Sequence, residues 1–300
     1  MRKSIFTLII LSTAFLAVAC GGANPAPAKT DATPAPAKTT PAPATNTSTT
    51  TSAPQPPVTV SESGTWEQVG QPGDWAKTVA VVGMNGALYS IESNGSLYKT
   101  EKDGSYKQIG APGTFVGVKM IEEMDGMIWT VEKGTLYKTD PNAGVWQQVG
   151  KTGDWKRTVA MVGMNGSLYS IENNGTLFKT EKDGSYQQLG PAGVFKDAQM
   201  LEAMSGKLWT VENGTLYKTD PTNGNWEQVG QAGDWANAVG MVGIGDNLWS
   251  IEKGGTVYKT DQSGNYTQVG KAGDYTDVSM MTALDGKLYT VEKGTLYRTN

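Results

Sequence analysis

The chain has 300 residues, with 38 Gly, 14 Pro, 9 Trp and 12 Tyr, no His, one Cys and a formal net charge of −4 at pH 7. Without histidine, mechanisms that need an imidazole base, ligand or shuttle are excluded, the Ser-His-Asp and Cys-His hydrolases among them. One cysteine excludes an internal disulfide framework, and a mildly acidic chain with no long basic run is not expected to bind nucleic acid.

The chain opens with Met1-Arg2-Lys3, and an apolar run follows from Ile5 to Ala19. That is signal-peptide length and short for a membrane span. The run ends Leu16-Ala17-Val18-Ala19-Cys20-Gly21-Gly22. Small residues before the single cysteine resemble the lipobox of bacterial lipoproteins, although Ala17 stands where Leu is usual. The resemblance implies a signal peptide over residues 1–19, cleavage before Cys20 and a lipid anchor on its sulfur. Gly21 after the cysteine, in place of Asp, resembles an outer-membrane address. Residues 20–63 are then the lipidated cysteine and a tether rich in Pro, Ala and Thr. Such a segment has almost nothing apolar to bury, and disorder is expected. At about 3 Å per residue it reaches on the order of 100 Å from a membrane.

The remainder, 64–300, repeats. Trp66, Tyr106, Trp146, Tyr186, Trp226 and Tyr266 recur every 40 positions, each opening a segment such as Trp66-Glu-Gln-Val-Gly. Within a unit, four strand-like runs are separated by turns such as Asn165-Gly166, Asn174-Gly175 and Asp183-Gly184. Asn-Gly and Asp-Gly tolerate the positive φ of tight hairpins, so each unit predicts a four-stranded antiparallel meander. Six such meanders predict an all-β, six-bladed β-propeller. The sixth unit stops after its third strand, at Thr295-Leu-Tyr-Arg-Thr-Asn300, and a spare fourth strand sits at Trp66 to Gly70. The N-terminal strand is therefore expected to pair into the last blade and close the ring, leaving no exposed edge.

A second period, of 80, overlays the first. Odd units carry Gly73-Asp-Trp75, Gly153-Asp-Trp155 and Gly233-Asp-Trp235. Even units carry Gly113-Thr-Phe115, Gly193-Val-Phe195 and Gly273-Asp-Tyr275. The propeller is read as grown from a duplicated two-blade block.

With the Trp-x-x-Val-Gly segment, the Gly-x-aromatic connector and the strands Leu-Tyr-Ser-Ile and Thr-Leu-Tyr-Lys-Thr, the units resemble tectonin and tachylectin repeats. Those are β-propeller lectins, so the resemblance implies carbohydrate binding. Tachylectin-type propellers have five longer repeats, and six units near 40 are closer to tectonin.

The connectors supply the candidate site. A sugar needs a flat apolar face for its C–H groups and acceptors for its hydroxyls, and Trp beside Asp offers both. Three equivalent carbohydrate pockets are expected on Asp74/Trp75, Asp154/Trp155 and Asp234/Trp235, with Asp274/Tyr275 a fourth candidate. The competing reading is that all six connector aromatics are wedges packed between blades. Glu92, Glu132, Glu172, Glu212, Glu252 and Glu292 recur, as do Lys99, Lys138, Lys179, Lys218, Lys259 and Arg298 on the next strand. Structural ion pairs between the two series, or hairpin hydrogen bonds, are expected, with sugar-lining glutamates the minor alternative. Methionines clustered in the first strands are expected to fill space between blades.

Together these features predict a multivalent, lectin-like lipoprotein of a bacterial envelope, anchored through Cys20 and without catalysis or cofactor. Its expected partner is a glycan or glycoconjugate. The alternative is a protein-interaction scaffold in envelope assembly, with an envelope protein as partner.

Overall fold

The computed structural model describes residues 65–299. The expected signal peptide, Cys20 and the tether lie outside the described residues. The chain begins with β1 (Trp66–Val69). Blade 1 follows as β2 (Thr78–Met84), β3 (Ala87–Glu92), β4 (Leu97–Thr100) and β5 (Tyr106–Ile109), and blade 2 as β6 (Val118–Met124), β7 (Met127–Glu132), β8 (Thr135–Thr139) and β9 (Trp146–Val149). Blade 3 is β10 (Thr158–Met164), β11 (Ser167–Glu172), β12 (Leu177–Thr180) and β13 (Tyr186–Leu189). Blade 4 is β14 (Ala198–Met204), β15 (Lys207–Glu212), β16 (Thr215–Thr219) and β17 (Trp226–Val229). Blade 5 is β18 (Ala238–Ile244), β19 (Asn247–Glu252), β20 (Val257–Thr260) and β21 (Tyr266–Val269). Blade 6 has β22 (Val278–Leu284), β23 (Lys287–Glu292) and β24 (Thr295–Thr299), and takes β1 as its fourth strand in the order β1-β24-β23-β22.

The six sheets are antiparallel meanders, and their innermost strands touch in a closed cycle that includes β22 against β2. The fold is the expected six-bladed propeller. The first hairpin of blade 1 turns on Asn85 and Gly86, at φ 49° and 74°, the two positive values that a type I′ turn demands. The Gln of every Trp/Tyr-x-Gln segment has a local task. Gln68, Gln108, Gln148, Gln188, Gln228 and Gln268 each donate from Nε2 to the carbonyl of the glycine two residues on, at 2.9–3.2 Å.

Each connector enters its blade by one repeated stitch. The backbone N–H of Trp75, Phe115, Trp155, Phe195, Trp235 or Tyr275 donates to the carbonyl of a glycine in the preceding blade's middle hairpin, between its second and third strands, at 2.9–3.1 Å. The aromatic side chain is then buried between the two blades. Burying a large apolar side chain of this kind contributes about 1.5–3 kcal/mol, so six such wedges hold much of the ring.

Closure at β1 and β24 carries an addition. Where other blades have Lys, blade 6 has Arg298, directly opposite Glu67 in the register. Its Nε and Nη2 donate to Glu67 Oε2 at 3.0 and 2.8 Å, and Nη1 donates to the Lys102 carbonyl of blade 1 at 2.7 Å. One planar guanidinium thus ties the first strand, the last strand and the next blade, which a lysine's single nitrogen could not do.

Nearer the axis, alternate junctions are exceptionally close. A Cβ on Gly83, Gly163 or Gly243 would lie 2.0, 1.9 or 2.3 Å from a backbone oxygen of Ala283, Glu123 or Ala203. The freed N–H groups are capped from the same neighbour: Gly83 donates to Thr282 Oγ1 at 3.1 Å, Gly163 to Glu122 and Gly243 to Glu202. Both carboxyls are half-buried between the crowded inner strands. Burial pushes Glu202 up to about 8, and burial together with the Glu202 charge pushes Glu122 well above the usual range.

Three outcomes follow from this packing. Arg298→Ala should lower unfolding free energy by about 1–2 kcal/mol in urea titrations, against less than about 0.5 for Lys107→Ala on an exposed outer strand. Gly163→Ala should cost about 1–3 kcal/mol or more, because the obstruction is backbone. Because Glu202 binds its proton more tightly folded than unfolded, stability should fall as pH rises from about 4.5 to about 8. Melting temperatures measured across that window should flatten in Glu122→Gln/Glu202→Gln.

Candidate functional site

Side chains alternate faces along a strand, so Ser90 and Glu92 on β3 share a face with Tyr98 and Thr100 on β4 and Tyr106 on β5, through the pairs Ser90↔Tyr98 and Thr100↔Tyr106. The connector before β2 brings Asp74 and Trp75 over that face. The result is a cavity of about 80 Å³ lined by Asp74, Trp75, Thr78, Ser90, Glu92, Tyr98, Thr100 and Tyr106. Blade 5 repeats it position for position with Asp234, Trp235, Ala238, Ser250, Glu252, Tyr258, Thr260 and Tyr266, and there the cavity is about 220 Å³. Ala238 in place of Thr78 removes two heavy atoms from the wall.

Within each cavity the roles differ from a simple Asp-Trp clamp. Trp75, Trp155 and Trp235 are only 6, 7 and 7% exposed and belong to interblade clusters, with Leu88, Leu168 and Leu248 respectively. Each is a wedge whose edge borders the cavity, as the packing reading expects. Asp74 and Asp234 close their own connector turns: Oδ2 accepts the N–H of Gln71 at 3.3 Å and of Gln231 at 3.2 Å. The aromatic lining is completed by the tyrosine pairs. Tyr98 and Tyr106 meet edge to face at 5.9 Å, Tyr258 and Tyr266 at 5.6 Å, and Tyr106 is 58% exposed.

The other two candidate positions are filled differently. In blade 3, Arg157 Nη2 lies 2.9 Å from Glu172 Oε2, and Phe178 stands where blades 1 and 5 have a tyrosine. In blade 6, Asp274 Oδ2 accepts the Lys271 N–H at 2.9 Å, and Tyr275 is packed edge to face against Trp66 with ring centroids 4.2 Å apart. Burial by that contact pushes the Tyr275 hydroxyl far up.

Among the described residues, no ion pair joins Glu92 to Lys99, Glu172 to Lys179 or Glu212 to Lys218. Lys99 lies opposite Tyr89, one residue off the parity of Glu92, so the two side chains leave opposite faces of the blade. The lysines pair elsewhere: Lys99 with Glu101, Lys179 with Glu181 and Lys218 with Glu227, each at 2.8 Å. The glutamates remain on the cavity face. In even blades a threonine replaces the serine, and in blades 4 and 6 it satisfies the carboxylate, with Thr210 Oγ1 donating to Glu212 at 3.1 Å and Thr290 Oγ1 to Glu292 at 3.0 Å. In blade 5 burial alone raises the Glu252 carboxyl above its ordinary range. Glu92 and Glu252 entered the sequence reading only as its minor, pocket-lining alternative, and Ser90, Tyr98, Thr100, Thr78 and their blade 5 counterparts escaped it. Their signal was the alternation of Ser-Ile-Glu with Thr-Val-Glu on the 80-residue period.

No protein-family profile matches the chain, and no curated protein matches it in sequence. Solved structures do match in fold. Virginiamycin B lyase from Staphylococcus aureus is 13% identical with a TM-score of 0.55, over 79% of this chain and 99% of its own. YCF48 bound to D1 peptide is 14% identical with a TM-score of 0.56, over 81% and 99%. A Bacteroides thetaiotaomicron protein of unknown function is 12% identical with a TM-score of 0.58, over 79% and 72%. At such identities the similarity establishes the propeller fold, and the similar propellers include both an enzyme and a protein solved with a peptide.

The wedge role of the connector tryptophans has a measurable consequence. Trp155→Ala should destabilise the propeller by about 3–5 kcal/mol in urea unfolding, as for other buried aromatics. Tyr106→Ala, at an exposed site, should cost less than about 1 kcal/mol.

Proposed function

We propose that this propeller is a carbohydrate-binding protein of a bacterial envelope, held to the membrane by lipid on Cys20, and that it binds without catalysis. The observation that carries the reading is the repetition of one cavity, built from the same eight positions, in blades 1 and 5. Each combines tyrosine faces with Ser and Thr hydroxyls and a carboxylate, the mixture a hydroxylated, partly apolar ring requires. About 220 Å³ in blade 5 is room for roughly one hexose. Two weak sites on one rigid ring would act together on a repetitive glycan, raising avidity by ~10²-fold or more. The glutamates recur in all six blades at the same place, which fits a binding or packing role better than a unique catalytic pair.

A protein partner is the second reading. It is favoured by the outer-strand aromatics Tyr106, Trp146, Tyr186 and Trp226, all at least half exposed, and by the peptide bound to the similar propeller YCF48. An aromatic rim of this kind suits protein contact as well as sugar stacking.

Glycan-array binding by the full chain, lost in Tyr98→Ala/Tyr258→Ala while the melting transition survives, is the expected result. A blank array with a specific envelope protein co-purifying on Trp146 and Trp226 would select the scaffold. For the anchor, Cys20→Ala should move the protein from the membrane fraction to the soluble fraction and abolish labelling by radioactive palmitate.

A further inference from the structure

The three odd blades form an internal comparison at one position, the residue before the inner strand that faces the recurrent glutamate. It is Lys77 in blade 1, Arg157 in blade 3 and Asn237 in blade 5. In blade 3 the chain fills its own site: the Arg157 guanidinium sits 2.9 Å from Glu172, whose side chain is largely buried. That contact shows that a cation fits against this carboxylate in this fold. In blade 5 Asn237 stands at that position and brings no positive charge. Among the described residues Glu252 makes no ion pair, and the cavity it faces is the larger one. Among the described residues its wall holds a second carboxylate, Asp234, and no basic side chain. Lys259 on the adjacent strand leaves the opposite face, opposite Trp249 in the register.

Two carboxylates beside the rings of Tyr258 and Tyr266 favour a ligand that brings positive charge. An ammonium would restore the ionised form of Glu252 that burial disfavours, and the tyrosine faces would add cation–π attraction. Taken with the proposed sugar binding, on which this step rests, we infer that the blade 5 cavity takes an amino sugar with a free ammonium group, which occupies the place that Arg157 fills in blade 3. Blade 1, with Lys77 beside a cavity of about 80 Å³, is the weaker site for such a ligand.

The test is a tryptophan-fluorescence titration of the full chain with a glucosamine trimer and, separately, with its N-acetylated counterpart. The expected result is at least tenfold tighter binding of the free amine. That preference should vanish in Glu252→Gln. It should vanish also in Asn237→Arg, which copies blade 3 and supplies the cation internally; that variant is expected to fold, because blade 3 already holds the same arrangement. Equal affinity for the two trimers would overturn the charge inference and leave sugar binding standing. Binding of a lysine-rich peptide but of neither sugar, lost in the same two variants, would uphold the requirement for a cation and overturn the sugar. Binding of none of the three would overturn both.

Discussion

The ring depends on one stitch, made at every junction between blades. A connector aromatic drops between two sheets, and its own backbone N–H is satisfied by a glycine carbonyl of the sheet it has just left. Neither half suffices alone. The buried ring supplies the apolar area, and the hydrogen bond keeps the incoming backbone from being buried unpaired. The glycine is required because its neighbour is too close for a side chain: a Cβ at Gly175 or Gly134 would come within 2.3 or 2.6 Å of the next connector's backbone. The pairing of β1 with β24 makes the sixth blade equivalent to the others, so that Trp75 finds the Gly294 carbonyl at 2.9 Å as its counterparts find theirs.

The six junctions are not alike, and the difference places the cavities. Those leading from an even blade to an odd one have the glycine contacts at Gly83, Gly163 and Gly243. They also carry surface bridges: Lys102 to Asp285, Lys182 to Asp125, and Ser205 to Asp246. The cavities of blades 1 and 5 open at these same junctions. The backbones press together near the axis while the outer face of the groove stays open, so the walls of each cavity are fixed by contacts that a ligand does not share. Such a wall loses little freedom on binding. Blades 4 and 6 spend the equivalent space on an internal Thr–Glu hydrogen bond.

The architecture was legible because its signals are local and repeated. Asn-Gly and Asp-Gly turns, the forty-residue spacing and the orphan Trp66 strand each state a backbone requirement that six copies make plain. The cavities were only half legible. Gly-Asp-Trp marked the right connector, yet the residues there proved to be the roof and the wedge. The floor comes from three strands whose side chains converge only through register. The parity of a strand decides whether Glu92 and Lys99 share a face, and a shift of one residue reverses the answer. Reading the two series as partners ignored that parity. The inner pair Glu122 and Glu202 was hidden for a related reason: a carboxylate on an inner strand stands out only once the neighbouring blade is known to crowd it.

Repetition also separates what the fold needs from what it does not. Positions that hold one residue type in all six blades, such as the Gln of the outer strand, answer to the backbone, and their hydrogen bonds repeat within 0.3 Å. Positions that differ between blades of the same parity cannot be required by the stitch or the turn, because the blades fold alike without them. The series Lys77, Arg157 and Asn237 is of that kind, and so are Thr78 against Ala238 and Tyr98 against Phe178. All of these lie on or beside the cavity face. The odd blades differ elsewhere too, as at Lys107, Gln187 and Thr267 on the outer strand, but differences on the cavity face change what that face can hold, and the shared backbone plan leaves them free to do so.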